Sequence, residues 1–281
     1  MQLSLFDHED LPAGPTGPVV RVKLTVAYDG GGFSGISPNP GVRTVGGLLV
    51  EALERLLRHR VQLAMAGRTD AGVHAWGQVV SFDAARRDLD LVVLQRSLNR
   101  LCGPEVVVRE ATVVPGHFDA RHSALARRYR YTVVNRPVAD PFLARTAWHV
   151  APPLDLAALR VGSDALVGEH DFTSFCRRPR VPAGVTYSMT RRVVDARWHD
   201  RGEGILRFDI EATAFCQQMV RNIVGTLVDV GVGRRRASDV RAALDARDRS
   251  ASSEPAPAHG LCLWEVVHPD ADQGGARGWS R

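Results

Sequence analysis

Between residues 21 and 28, Val22, Leu24, Val26 and Tyr28 alternate with polar or small neighbours, the period-two pattern of a half-buried strand. A Gly/Pro-rich loop covers 29–41. Val45, Leu48, Leu49, Ala52, Leu53, Leu56 and Leu57 then recur at three- and four-residue spacing, which gathers them on one face of a helix. Thr44 stands where an N-cap belongs. Gln78-Val79-Val80-Ser81-Phe82 predicts a strand, 89–101 a second helix, and Val106-Val107-Val108-Arg109 a strand leading into a loop that ends at Pro115. Further on, strands are expected at 128–134, near 191–198 and 205–211, and at 260–267, with helices over 154–167, 217–230 and 240–246.

Clean alternation mixed with helical segments points to an α+β fold of mainly antiparallel sheet flanked by helices. Residues 45–82 and 154–198 rhyme, each a helix, then a loop with an acid near its end, then sheet, which suggests two similar halves with a cleft between them. The expected division is a flexible arm over 1–18, one half over 19–118, a second over 119–270 and a frayed tail over 271–281. Pro12, Gly14, Pro15, Gly17 and Pro18 break any regular element in the arm.

An apolar fraction of 44% with 24% charged residues can bury a core, so the chain is not a disordered polymer. The formal charge of +5 favours an anionic partner. Lys23 is the only lysine, so the positive charge is arginine, which suits phosphate and base stacking; a coding bias toward arginine gives the same composition. Cys102, Cys176, Cys216 and Cys262 are far apart with no CxxC pair, which points to reduced thiols in a cytosol. The histidines show no metal-ligand spacing, so no metal is expected. No apolar run approaches a membrane span, and Asp7, Glu9 and Asp10 replace the basic start of a secretion signal, so a cytoplasmic protein is expected.

The candidate chemistry lies in Gly67-Arg68-Thr69-Asp70-Ala71-Gly72-Val73-His74, where one carboxylate sits between glycine-flanked turns. Taken alone, Asp70 either caps the following turn or is aimed at a substrate. No second acid lies nearby for paired-carboxylate chemistry, and no P-loop or G-x-S-x-G is present. A lone aspartate beside arginines and a tyrosine suits a carboxylate that works ionised, as nucleophile or base. Arg127-Arg128-Tyr129-Arg130-Tyr131 suits a polyanion with bases to stack, although the tyrosines also fit a plain core-facing strand. Arg43, Arg121, Arg127, Arg128 and Arg130 are the candidate RNA contacts. Arg177-Arg178 and Arg234-Arg235-Arg236 read as solvated loops, and His170 as a structural residue at a helix end.

Taken together, these segments closely resemble the tRNA pseudouridine synthase A family. The resemblance rests on Tyr28-Asp29-Gly30, Arg43-Thr44-Val45, the Asp70 segment, Gly77-Gln78-Val79-Val80, Phe118-Asp119-Ala120-Arg121, Arg127-Arg128-Tyr129-Arg130-Tyr131, Gly168-Glu169-His170-Asp171-Phe172-Thr173-Ser174-Phe175 and Met219-Val220-Arg221-Asn222-Ile223-Val224-Gly225. These stand in the family's order over residues 21 to about 268. The resemblance implies isomerisation of uridine to pseudouridine in the anticodon arm of tRNA, at about positions 38 to 40, by a homodimer without cofactor or metal. It makes Asp70 the catalytic aspartate and Tyr129 the tyrosine that stacks on the target base. It makes Arg221 a partner of the aspartate, and gives Arg68 the task of holding the flipped nucleotide's place.

The chain departs from the family where Trp-Gln usually follows Gly35 and Ile36-Ser37 stand here, and where Gly46 replaces a glutamine. The resemblance places RNA contacts in these segments, so a pseudouridine synthase with a different RNA target is the first alternative and a non-catalytic RNA-binding module the second. Gln2-Leu3-Ser4-Leu5-Phe6 looks like the short motif by which bacterial proteins dock on the replication sliding clamp; an arm folded back on the body is the reading preferred to docking.

Overall fold

A computed structural model describes residues 11–87, 89–178 and 187–269. The Gln2-to-Phe6 motif and the tail from 270 lie outside the described residues. The first half runs β1 (Val19–Tyr28), α1 (Val45–Leu57), β2 (Ala64–Met65), β3 (His74–Ala85), α2 (Leu91–Cys102) and β4 (Val106–Val114). The second runs β5 (Ala126–Val134), β6 (Trp148–His149), α3 (Leu156–Asp164), β7 (Gly168–Asp171), β8 (Thr190–Asp200), β9 (Ile205–Ala212), α4 (Met219–Gly231), α5 (Ser238–Ala246) and β10 (Leu261–Val267).

Local chemistry sets the elements where the pattern placed them. In β1 the alternating Val22, Leu24, Val26 and Tyr28 are buried. Thr44 caps α1 by accepting the Gly47 amide at 3.1 Å, and Arg58, in the left-handed region, ends it. Asp90 and Asp155 cap α2 and α3 in the same way. Three expectations need correction. β4 continues to Val114 because its second stretch still pairs with β1, through Arg21↔Val114, where a loop was expected. Residues 168–171 are strand β7 rather than a helix end, paired with β8, and His170 Nε2 donates to the Val167 carbonyl. Cys176 and Cys216, 40 residues apart, form a bonded pair with Cα atoms 5.8 Å apart, where reduced thiols were expected; Cys102 and Cys262 are free.

The strands form one sheet in the order β4-β1-β3-β10-β5-β9-β8-β7, with β2 on β3 and β6 on β5. Each half is a mainly antiparallel set, the short β6 alone running parallel to β5 within the second, and each has its own helices, α1 and α2 in the first, α3 to α5 in the second. The last strand joins them. β10 lies antiparallel to β5 but parallel to β3, where it pairs only through Cys262↔His74 and Leu263↔Ala75. The Asp70 segment enters β3 at this short seam. No helix among the described residues is long and apolar enough to cross a membrane.

Candidate active site at the seam

Residues 66–73 are held by side chains from strands on either side. From β3, the wholly buried Gln78 donates from Nε2 to the Gly67 carbonyl at 2.8 Å and accepts the Gly67 amide on Oε1 at 3.3 Å. From β1, the Tyr28 hydroxyl shares a 2.7 Å hydrogen bond with Thr69 Oγ1. From β5, Arg127 donates to the Ala66 carbonyl through Nε at 3.1 Å and Nη2 at 2.9 Å. The same guanidinium reaches the carbonyls of Ala124, Thr213 and Arg121 at 3.2, 2.9 and 2.9 Å. The first loop closes over the segment: Ile36 N donates to Thr69 O at 3.3 Å. Gly35, at φ +93°, brings its Cα so close that a Cβ would lie 2.7 Å from that oxygen.

Within this frame the turn after Asp70 closes through the backbone, Val73 N donating to Asp70 O at 3.2 Å, with Gly72 at φ +77°. The Asp70 carboxylate is half-buried and has no hydrogen-bond or ion-pair partner among the described residues. It therefore caps no turn, and its oxygens are free for a ligand.

Tyr129 is buried beside it, its ring edge-on to Phe215 with centroids 5.0 Å apart. Burial pushes its phenol up, and the neighbouring Tyr28 and the charge of Asp70 push it further. Burial likewise raises Tyr28 and the Cys262 thiol, each to about 12. At neutral pH these neighbours are uncharged hydrogen-bonding groups, and none competes with the carboxylate as a nucleophile.

The remaining predicted residues separate. Arg68 is exposed on the Asp70 turn with no partner among the described residues. Arg221, in the first turn of α4, donates from Nε to the Ala256 carbonyl at 2.7 Å and is not paired with Asp70. The pleat of β5 sends Arg127 and Tyr129 to one face, and Arg128 and Arg130 to the other. Arg128 meets Glu211 and Glu265 at 2.7 and 2.8 Å; Arg130 lies over the Trp264 ring and faces the buried Asp209. Arg43 holds Glu105 with both terminal guanidinium nitrogens, and Arg121 is exposed. Of the five arginines proposed for RNA, four thus bind protein partners. Gln78 and Tyr28 stood inside quoted motifs, yet no local pattern gave them the task of holding the Asp70 turn.

Residues 163–269 match a family model described as tRNA pseudouridine synthase. That match lies in the second half, and longer matches extend the likeness to most of the chain. The chain is 40% identical to tRNA pseudouridine synthase A of Myxococcus xanthus, over 89% of this chain and 92% of that protein. It is 40% identical to that of Brevibacillus brevis, over 88% and 99%, and 36% identical to that of Bacillus subtilis, over 89% and 99%. The chain belongs to the tRNA pseudouridine synthase A family.

Proposed function

We propose that this protein isomerises uridine to pseudouridine in the anticodon arm of tRNA, at about positions 38 to 40, with Asp70 as its catalytic group. The observation that carries the reading is an unpaired, half-buried carboxylate on a turn fixed by Gln78, Tyr28 and Arg127. The reaction breaks the N1–C1′ glycosidic bond, turns the uracil and joins its C5 to C1′; C5 gives up its proton and the freed N1 takes one up, so the composition is unchanged. A carboxylate serves this by attacking sugar or base, or by taking a proton. It must be fixed and not already engaged, because an ion pair or cap would have to break first. The base must leave its stack to reach it, and the neutral Tyr129 provides an aromatic surface beside Asp70. Arg68, exposed on the same turn, takes in this reading the task of filling the gap the flipped nucleotide leaves. The reading includes a cytoplasmic homodimer.

The test is tritium release from tRNA transcripts labelled at uridine C5, comparing wild type with Asp70→Asn, with the modified sites mapped afterwards. Release by wild type alone, mapping to positions 38–40, is expected. Equal release by Asp70→Asn would refute the assignment of the aspartate, and modification elsewhere would move the target.

A further inference from the structure

The second half carries an open groove of about 430 Å³ whose lining includes Arg177, Arg178, Arg247 and Arg249, with Asp248 as its one carboxylate and Met189 on its wall. The two arginine pairs come from segments about 70 residues apart, one just after the turn at Thr173–Phe175, the other just after α5. The fold therefore gathers charge that lies far apart in the sequence.

That charge is only partly neutralised locally. Asp248 turns toward its own chain and accepts the Ser250 amide at 2.9 Å. Asp171 approaches Arg247 only to 3.7 Å and already accepts the amide and hydroxyl of Thr173 at 2.9 and 2.6 Å. Arg177 and Arg178 are exposed and have no acidic partner among the described residues. Arg249, by contrast, is fixed: it donates to Ser252 Oγ at 3.0 Å and to Asn222 Oδ1 at 3.0 Å, and Asn222 is wholly buried and donates to the Phe175 carbonyl. At the same wall α4 begins behind Gln218, which is left-handed at φ +63° and forms no side-chain cap, so the positive end of that helix adds to the field.

The groove lies one loop from the active site. Phe215 packs on Tyr129, Cys216 is bonded to Cys176, the Gln217 carbonyl accepts the Arg177 amide at 3.0 Å, and Gln218 lines the groove. A discrete small anion is best held by enclosed, convergent donors. Here exposed guanidinium groups from two separate segments line an open groove, which suits a chain of phosphates laid along it.

We propose that this groove binds the phosphodiester backbone of the substrate RNA, beside the nucleotide presented to Asp70. The proposal rests on the function proposed above for its choice of RNA.

The test is binding of an unmodified tRNA transcript, titrated across a salt series, to wild type and to the triple variant Arg177→Gln, Arg178→Gln, Arg247→Gln. Arg249 is spared because it supports the fold. Affinity is expected to fall at least about tenfold near 0.1 M salt, and the slope of log Kd against log salt by about two to three. Unchanged affinity and slope would overturn the proposal. So would displacement of RNA-independent inorganic triphosphate binding by these substitutions with no effect on RNA, which would mark a discrete anion site. Should the triple variant not fold, Arg178→Gln alone is expected to reduce the slope by about one, and no change would count against the groove. Failure of the underlying function shows differently: wild type would release no tritium, whatever the groove variants do to RNA affinity.

Discussion

Arg127 ties four carbonyls to one side chain, two of them in segments that flank the candidate active site. Ala66 O belongs to the segment that presents Asp70, and Thr213 O to the loop whose Phe215 packs on Tyr129. Arg127→Ala removes every one of these hydrogen bonds. The bonds to Thr213 and Arg121 are exposed, and water takes them over at little cost; those to Ala66 and Ala124 are partly buried. Leaving two such carbonyls unsatisfied costs about 2–4 kcal/mol. For a chain of this length that is a fall in Tm of about 4–8 °C, readable by calorimetry. If Arg127 only supported the fold, kcat measured at 25 °C, far below Tm, would be unchanged. Because it sets the height of the Asp70 turn, kcat is expected to fall by at least about tenfold, with Km for tRNA changing less. Arg127→Lys keeps the charge but cannot span the four carbonyls, so it is expected to recover little of either loss. The reasoning fails if Arg127→Lys restores both Tm and kcat, or if Arg127→Ala lowers Tm alone.

Gly35→Ala is expected to lower stability by about 2 kcal/mol, from the positive φ and the clash with Thr69 O, and to lower kcat because relief of the clash shifts the residue before Asp70; wild-type thermal melting and turnover would refute it. His268 donates to the Ala120 carbonyl at 3.0 Å, and burial holds its imidazole below the ordinary 6.5. The unfolded chain therefore takes up this proton first, so the contribution to stability is complete above pH 6.5 and is lost as pH falls below it. His268→Gln is expected to flatten denaturant stability between pH 7 and 5, and an unchanged pH slope would count against this reading.

Local signals placed what local chemistry determines. Thr44 announced α1 because a cap needs only its own next turn, and the alternation in β1 marked its buried face because a strand's period is fixed by its backbone. The Asp70 segment was legible because its glycines and its acid are contiguous. What stayed hidden depends on contacts far apart in the chain. The placement of β10 between β3 and β5 joins residues nearly 200 positions apart and follows from no pattern in either strand. Arg127, Arg128 and Arg130 read alike as basic residues beside tyrosines. Period-two geometry already divides them between two faces, but that Arg127 faces carbonyls while Arg128 faces Glu211 and Glu265 is set by what the neighbouring strands carry. The groove is the clearest case, since neither Arg177-Arg178 nor Arg247 with Arg249 is distinctive until the fold brings them together.

The departures from the family pattern at 36 and 46 join as one contact. Ile36 is wholly buried, and its carbonyl accepts the Gly46 amide at 2.8 Å. A Cβ at position 46 would fall inside van der Waals contact with that same oxygen, and close to the Pro38 ring. Glycine at 46 is therefore what lets the first loop lie down on the first turn of α1, and an apolar residue at 36 is what that loop buries when it does. In the opposite direction, the Ile36 amide reaches Thr69 O, one residue before the catalytic candidate. The loop thus links α1 to the Asp70 turn through the buried Ile36 side chain and four backbone hydrogen bonds, Val45 and Gly46 amides to the Gly35 and Ile36 carbonyls on one side, and Ile36 N to Thr69 O and Gly72 N to Phe33 O on the other. Ile36 and Gly46, which read in the sequence as separate departures at RNA-contacting segments, thus meet in one packing contact beneath the turn that carries Asp70.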